Sequence, residues 1–269
     1  METPPAPEGL VGAVFARRAA RAQLLAAESE TAREPLRFAA GLYRVQGRLA
    51  TALPAQGGPL SGRLPEDADR VGRGRDELLT FAAECGPSGL AEAARARGEE
   101  DPSRVRSQLV AFWDGDLQAR DDYLSRALLR PYVEVLAGLG IAPDRPRRPG
   151  HCPFCGGPPW IAARRSGSEA DGAERLLGCS LCGGEWPFAR IRCPSCFQED
   201  PKGLPSFQSA AHPTVRIEGC EACHTYVKSI DLTLDGRAIP EVDDLVSLGM
   251  DLWAAEEGFR RIEPGLAGI

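Results

Sequence analysis

His151-Cys152-Pro153-Phe154-Cys155-Gly156 returns further along the chain as Arg192-Cys193-Pro194-Ser195-Cys196-Phe197. Gly178-Cys179-Ser180-Leu181-Cys182 returns likewise as Gly219-Cys220-Glu221-Ala222-Cys223. Each of the first four cysteines has its counterpart 41 residues on, and 23 residues lie between the two pairs within each half. Four coincident offsets imply an internal duplication.

The spacing has a physical reason. Two residues between cysteines let a tight turn put both thiolates on one edge of a metal ion, with backbone N–H groups directed at the sulfurs. Pro153 and Pro194 preset that turn, and Gly156 and Gly183 suit the unusual backbone after the second ligand. Two such knuckles close a tetrahedral four-sulfur shell of the rubredoxin or zinc-ribbon kind. One set is Cys152, Cys155, Cys179 and Cys182; the other is Cys193, Cys196, Cys220 and Cys223. A duplicated unit should once have folded alone, which favours this sequential pairing. A cross-braced pairing stays open, since closing loops 14 residues longer adds only about 0.4 kcal/mol of entropy cost.

A closed four-sulfur shell leaves no open position for water or substrate, so it suits structure or electron transfer better than Lewis-acid catalysis. Zinc and iron both accept four thiolates. Binding of the structural zinc type supplies roughly 10–16 kcal/mol of apparent free energy, ample for a small module. Metal-free redox dithiols would need a βαβ context that the sequence lacks. His151, His212 and His224 are the only histidines; His151 and His224 flank ligand cysteines, where they could tune a site or replace a lost ligand, but with both sulfur sets complete they are expected as exposed neighbours of the knuckles. A Gly-rich phosphate loop, a nucleophile elbow and a His-x-x-x-His pair are all absent, and no enzyme activity is expected.

Composition frames these sites. Of 269 residues, 43% are hydrophobic and 26% charged, which is the balance of a soluble globular chain. The net charge of -6 argues against a general nucleic-acid binder. No run of about 18 apolar residues exists to span a membrane. Met1–Glu8 is polar and Pro-rich, and the segment after Arg17-Arg18 is amphipathic rather than signal-like, so a cytoplasmic location is expected. In that reducing compartment nine cysteines point to metal rather than disulfides. Cys85, the ninth, is expected as a buried small hydrophobe.

Upstream of the cysteines the chain reads as helices. Leu10, Val11, Val14 and Phe15 repeat at helical spacing, and Leu24 and Leu25 continue near that face. Pro35 can open a second helix with the stripe Phe38, Leu42, Val45, Leu49 and Leu53. Residues 54–75, rich in Gly, Pro and charge, read as a loop, and a helix is expected over Asp76–Glu84. Val105, Leu109, Phe112, Trp113 and Leu117 form another stripe. Tyr123, Leu124, Ala127, Leu128, Tyr132, Val135, Leu136 and Leu139 form the next, with a kink or break expected near Leu129 because of Pro131.

Asp144–Gly150 is a linker by composition. Beyond it come β-prone runs at Trp160–Ala163, Glu185–Ile191, Val215–Ile217 and Thr225–Leu234, with Ser166–Gly172 among the turn-rich segments between them. A final helix after Pro240 buries Val242, Leu245, Leu248, Leu252 and Phe259, with Asp243 and Asp244 in its first turn, where they suit the helix dipole. The expected fold is α+β: a helical domain over 1–143, tandem rubredoxin-like or zinc-ribbon modules over 151–190 and 191–234, and a C-terminal helix over 240–263.

With these flanks the chain resembles the formate dehydrogenase accessory protein family, FdhE, over nearly its full length. The resemblance is loose in Phe15-Ala-Arg-Arg-Ala-Ala-Arg and Arg126-Ala-Leu-Leu-Arg-Pro-Tyr132. It is specific in the four Cys-x-x-Cys pairs and in Thr225-Tyr-Val-Lys228, and it extends through Asp243-Asp-Leu-Val-Ser-Leu248 to Glu256-Glu-Gly-Phe259. It implies a cytoplasmic, chaperone-like maturation factor that binds the catalytic subunit of a molybdenum or tungsten formate dehydrogenase. It also implies two iron ions in rubredoxin-type sites, with zinc as the alternative, and the eight paired cysteines as ligands.

Two other classes compete. A zinc-ribbon nucleic-acid binder is poorly supported, since residues 145–234 hold 11 Lys and Arg against 9 acidic residues and few aromatics for base stacking. Trp160, Trp186 and Tyr226 fit a small-module core instead. A rubredoxin-like electron carrier is allowed by the ligands but leaves the helical domain unexplained.

Overall fold

The computed structural model describes residues 8–116, 119, 121–166 and 173–268. These gather into two compact units. One holds the residues before Arg21 together with Phe38–Pro146; the other holds Arg21–Arg37 with Arg147–Ile269. The tip of the first helical hairpin thus groups with the second unit.

In the first unit the apolar stripes become helices. Helix α1 spans Glu8–Glu28 and α2 spans Arg33–Ala55. Phe15, Leu42, Val45, Leu49 and Leu53 are buried, whereas Leu24 faces solvent. The Leu10 side chain lies outside the described residues. The segment read as a loop contains a helix, α3, over Leu64–Gly72. Its Pro at the start, Glu66 and Asp67 in the first turn, and buried Leu64, Ala68 and Val71 at helical spacing outweigh the Gly-Pro composition around them. Asp67 is its anchor, accepting from the Ser61 and Gly62 N–H groups and from the Tyr132 hydroxyl at 2.7 Å.

Helix α4 covers Arg75–Cys85 and α5 covers Ser88–Gly98. Cys85 is exposed rather than buried, because the packed face of α4 is made by Leu78, Leu79 and Ala82 and the cysteine lies at the helix end. Helix α6, Pro102–Asp114, starts on an Asp101 side-chain cap and buries Val105, Leu109 and Trp113. Leu117 lies outside the described residues.

Helix α7 runs unbroken over Tyr123–Gly138 through Pro131. Proline cannot donate to the carbonyl four residues back, which here belongs to Ala127. Gln46 Nε2 donates to that oxygen at 2.8 Å, so the unpaired acceptor is satisfied and the helix continues. Leu139, just past the helix, is 38% exposed rather than part of the core.

The second unit is built on one sheet. Its strands are β1 Pro159–Ser166, β2 Ala173–Cys179, β3 Glu185–Pro187, β4 Ser206–Ser209, β5 His212–Cys220, β6 Thr225–Asp231 and β7 Arg260–Arg261. Their order is β3-β2-β1-β6-β5-β4, with β7 beside β6. Both halves of the duplication therefore contribute three strands to a common sheet, joined by the parallel β1–β6 pair. The β-prone runs at Trp160–Ala163 and Val215–Ile217 lie within β1 and β5, only the first three residues of Glu185–Ile191 form β3, Thr225–Leu234 is strand up to Asp231 in β6, and β2, β4 and the short β7 lie outside the expected runs. Residues 167–172 of the expected turn segment lie outside the described residues.

After Pro240 the chain forms α8 (Pro240–Asp243), a 3-10 turn over Asp244–Ser247 and α9 (Leu248–Glu256) before β7. Val242 and Leu245 are buried, but Leu252 is 58% exposed. Asp243 lies in the first turn of α8 and Asp244 in that of the 3-10 turn, and both are also buried in ion pairs. Asp243 accepts from Arg21 Nε at 3.0 Å, and Asp244 faces Lys228 and Arg261.

Candidate metal centres

The eight paired cysteines collect into two sets, Cys152, Cys155, Cys179, Cys182 and Cys193, Cys196, Cys220, Cys223, with all sulfurs of a set within 4.8 Å of one another. The grouping is sequential rather than cross-braced. Trp160, Trp186 and Tyr226 are buried beside these modules.

Each knuckle has the same backbone. Gly156 N–H donates to Cys152 O at 2.9 Å, and Phe197 N–H to Cys193 O at 3.0 Å. His224 N–H donates to Cys220 O at 2.8 Å. The residue after the second cysteine is left-handed all four times: φ is 71° at Gly156, 66° at Gly183, 64° at Phe197 and 53° at His224. Glycine adopts that conformation freely, whereas Phe and His do so at a cost. The second half of the duplication thus keeps the turn with Phe and His where the first half has glycines.

This turn aims N–H groups at sulfur. Gly157 N–H lies 3.4 Å from Cys155 Sγ, Leu181 N–H 3.4 Å from Cys179 Sγ, and Ser195 N–H 3.4 Å from Cys193 Sγ. Such donors stabilise thiolate over thiol. Cys223 Sγ has a further partner in the Thr225 hydroxyl at 3.0 Å. Burial opposes its ionisation, but that hydroxyl and the neighbouring donors bring its pKa down to about 7.

The spacing fits a metal. Sulfurs about 2.3 Å from a common ion in a tetrahedron lie about 3.8 Å apart. The Sγ–Sγ separations are 3.6 Å for Cys152–Cys182 and 3.3 Å for Cys155–Cys179. In the second set they are 3.7 Å for Cys193–Cys223 and 3.6 Å for Cys196–Cys220. Protonation chemistry agrees. Hydrogen bonds from Cys155, Cys179 and Cys182 favour the Cys152 thiolate, and once it forms they hold their own thiols up. Burial, with Cys152 and Cys182 beside it, pushes the Cys179 thiol up. The first set therefore accepts one negative charge readily and resists the rest until a cation supplies compensation. A bound zinc or iron ion would tie the knuckles together, and iron would add a one-electron couple.

The two sets differ in access. All four cysteines of the first are buried, whereas Cys196 is exposed and Cys223 half-buried in the second. His151 is half-buried, its Nδ1 3.0 Å from Gly156 O, and His224 is exposed. His212 is half-buried, and burial followed by Lys228 lowers its pKa.

Comparison with known proteins follows the same division. A family model described as the FdhE central domain matches residues 151–190, and one described as the FdhE C-terminal domain matches 191–266. The FdhE homologue of Aquifex aeolicus is 36% identical over 194 residues, which is 71% of this chain and 68% of that protein. The homologue of Pseudomonas putida is 31% identical over 280 residues, covering 94% and 86%. The crystal structure of the FdhE protein from Pseudomonas aeruginosa superposes with a TM-score of 0.71 at 28% identity, over 95% of this chain and 96% of that one.

Proposed function

Since the chain belongs to the FdhE family, we propose that it is a non-enzymatic accessory factor that helps a molybdenum or tungsten formate dehydrogenase mature in the cytoplasm, acting as a chaperone on its catalytic subunit. The observation that carries this reading is the pair of complete cysteine sets inside the segment matched by the family models. The eight paired cysteines serve as ligands to two metal ions, iron by preference and zinc otherwise. The metals hold the knuckle loops in fixed places on the sheet, and the helices offer surface to the client. Among the described residues no helix is long and apolar enough to cross a membrane.

Anaerobic co-purification from the native cell, with mass identification of what is captured, tests the proposal. Recovery of a formate dehydrogenase catalytic subunit, lost when Cys193→Ser or Cys220→Ser is introduced, is the expected result. Capture of a redox partner or nucleic acid without the dehydrogenase overturns it. One observation favours a second reading, a rubredoxin-like electron carrier: the exposure of Cys196 brings solvent and redox partners to the second set. A reversible iron couple with turnover by a physiological reductase, and no client bound, would select that reading.

A further inference from the structure

We propose that the cavity beside the second cysteine set binds a phosphate-type dianion, either as the free ion or as the phosphoryl group of a small molecule. The cavity has a volume of about 200 Å³ and lies within the second unit. Its charged lining is Arg164, Arg175, Arg190, Arg192, Arg216 and Glu218, five cations against one anion in a chain whose net charge is -6.

Strand register builds the floor. Arg164 of β1 pairs with Arg175 of β2, and Arg216 of β5 pairs with Ser229 of β6. Ser229 in turn pairs with Ala162, two residues before Arg164, so Arg164, Arg175 and Arg216 rise from the same face. Like charges on directly opposed residues repel and are destabilising unless something compensates them.

Arg175 is compensated within the protein. It donates to Glu218 at 2.8 Å from Nε and to the carbonyls of Ala189 and Arg192 at 3.0 and 3.2 Å. Those carbonyl bonds pin the loop that brings Arg190 and Arg192 to the cavity, which makes Arg175 a positioning residue. Arg192 is paired with Glu199.

Arg164 and Arg216 are different. The Arg216 guanidinium reaches Asp231 only at 3.7 Å, and its Nε is buried without a hydrogen-bond partner. Half-buried Arg164 stands opposite Asp231 in the β1–β6 register, but no hydrogen bond or ion pair joins its guanidinium to another described residue. A buried donor left without an acceptor is destabilising, so an acceptor is called for. Guanidinium forks match the paired oxygens of a phosphate group, and two forks neutralise a dianion. Cys193 and Cys220 line the same cavity, so the occupant would sit against the second cysteine set.

The test uses the metal-loaded full chain, freed of phosphate and titrated calorimetrically with inorganic phosphate and with phenyl phosphate. One saturable site is expected, weakened at least tenfold by Arg164→Gln and by Arg216→Gln and unchanged by Arg237→Gln, an exposed arginine outside the cavity, paired with Asp235. Ser206→Glu guards against misfolding as an explanation. Ser206 is exposed, lines the cavity and opposes Glu218 in register, so it adds a carboxylate there without touching the core. It too should weaken binding at least tenfold. Tighter binding of phosphate than of its monoester assigns the free ion; equal or tighter binding of the monoester assigns a phosphoryl group. The proposal falls if wild type shows no saturable binding, if Arg237→Gln weakens binding as much, or if Arg164→Gln, Arg216→Gln and Ser206→Glu leave it unchanged. It also falls if an oligoglutamate peptide displaces phosphate at concentrations where phosphate itself does not saturate, which would mark a docking site for an acidic protein segment.

Discussion

Gly183 and His224 hold the same place in the two halves of the duplication, and both have a left-handed backbone, with φ of 66° and 53°. Left-handed geometry costs a residue with a Cβ about 1–2 kcal/mol. Replacing His224 by glycine removes that cost but loosens the unfolded chain by about 0.4–1 kcal/mol. A net gain of roughly 0.5–1 kcal/mol is expected for His224→Gly, because His224 is exposed. Gly183→Ala should lose about 1 kcal/mol. Chemical denaturation of the metal-loaded proteins checks both, and a loss from His224→Gly would mean its ring holds the knuckle.

Lys228 is fully buried on β6, with Nζ 3.0 Å from Asp244 Oδ1, 2.5 Å from Asp251 Oδ2 and 2.9 Å from Asp244 O. Arg261 shares both carboxylates, at 2.9 Å from Asp244 and 3.2 Å from Asp251. Removing the lysine leaves two buried carboxylates facing one cation. Breaking a buried pair in this way costs about 3–5 kcal/mol. Lys228→Met is therefore expected to lower unfolding free energy by that amount in a denaturant titration. A change below about 1 kcal/mol would show that the network reorganises around Arg261.

Burial raises the pKa of Asp244, but Arg261 and Lys228 outweigh it and hold the carboxyl below its ordinary range. A depressed folded pKa means that the unfolded state binds the proton first as pH falls. The resulting stabilisation is complete above the ordinary carboxylate range and disappears as pH drops through it towards the folded value. Asp244→Asn mimics the protonated form. The stability gap between wild type and Asp244→Asn should be widest near neutral pH and shrink in acid. A gap that stays constant between pH 7 and pH 3 would contradict this assignment.

Gln46 stands in for the amide hydrogen that Pro131 lacks. Without it the Ala127 carbonyl is a buried acceptor with no donor, at a cost of about 1–3 kcal/mol. Gln46→Leu keeps much of the volume and removes the donor together with Oε1, a buried acceptor without a hydrogen-bond partner, whose loss offsets part of that cost. It should destabilise the chain by about 1 kcal/mol, the lower end of that range, and adding Pro131→Ala, which restores the backbone donor, should recover most of the loss. Failure of the second change to rescue the first would detach Gln46 from the proline.

Much of this was legible in the sequence. The duplication, the two cysteine sets and the left-handed glycines follow from spacing and turn chemistry, because a metal shell is a local constraint written in residue types. The α2 stripe was legible for the same reason: its burial is periodic. What was hidden depends on partners distant in sequence. Gln46, 85 residues before Pro131, decides that α7 is not broken. Lys228 and Arg261 turn Asp244 from a helix-start charge into a buried anion. Helix α3 was obscured because its short apolar stripe is embedded in Gly- and Pro-rich sequence. The joining of the two modules into one sheet required the β1–β6 pairing, which no local pattern announces. Cys85 and Leu252 show the limit of periodicity, which says that a face exists but not how far a neighbour extends to cover it.

The difference in access between the two cysteine sets should appear as a difference in metal release. Both sets hold their sulfurs at similar spacing, 3.3–3.6 Å in the first and 3.6–3.7 Å in the second, so ligand geometry alone predicts similar affinity. Release to a chelator, however, needs an approach to the sulfurs. The first set has all four cysteines buried, while the second presents Cys196 to solvent and leaves Cys223 half-covered. Chelator added to protein carrying two metals per chain is therefore expected to remove them in two phases, the first belonging to the second set. Cys196→Ser should abolish the fast phase and spare the slow one, and Cys155→Ser should do the reverse. Trp160 and Trp186, in the same half of the duplication as the first set, are buried. Loss of the first set should lower the unfolding free energy more than loss of the second, by a few kcal/mol of the roughly 10–16 that structural metal sites supply. A single release phase, or a larger loss of stability from Cys196→Ser than from Cys155→Ser, would show that access and structural weight are not divided between the two sets in this way.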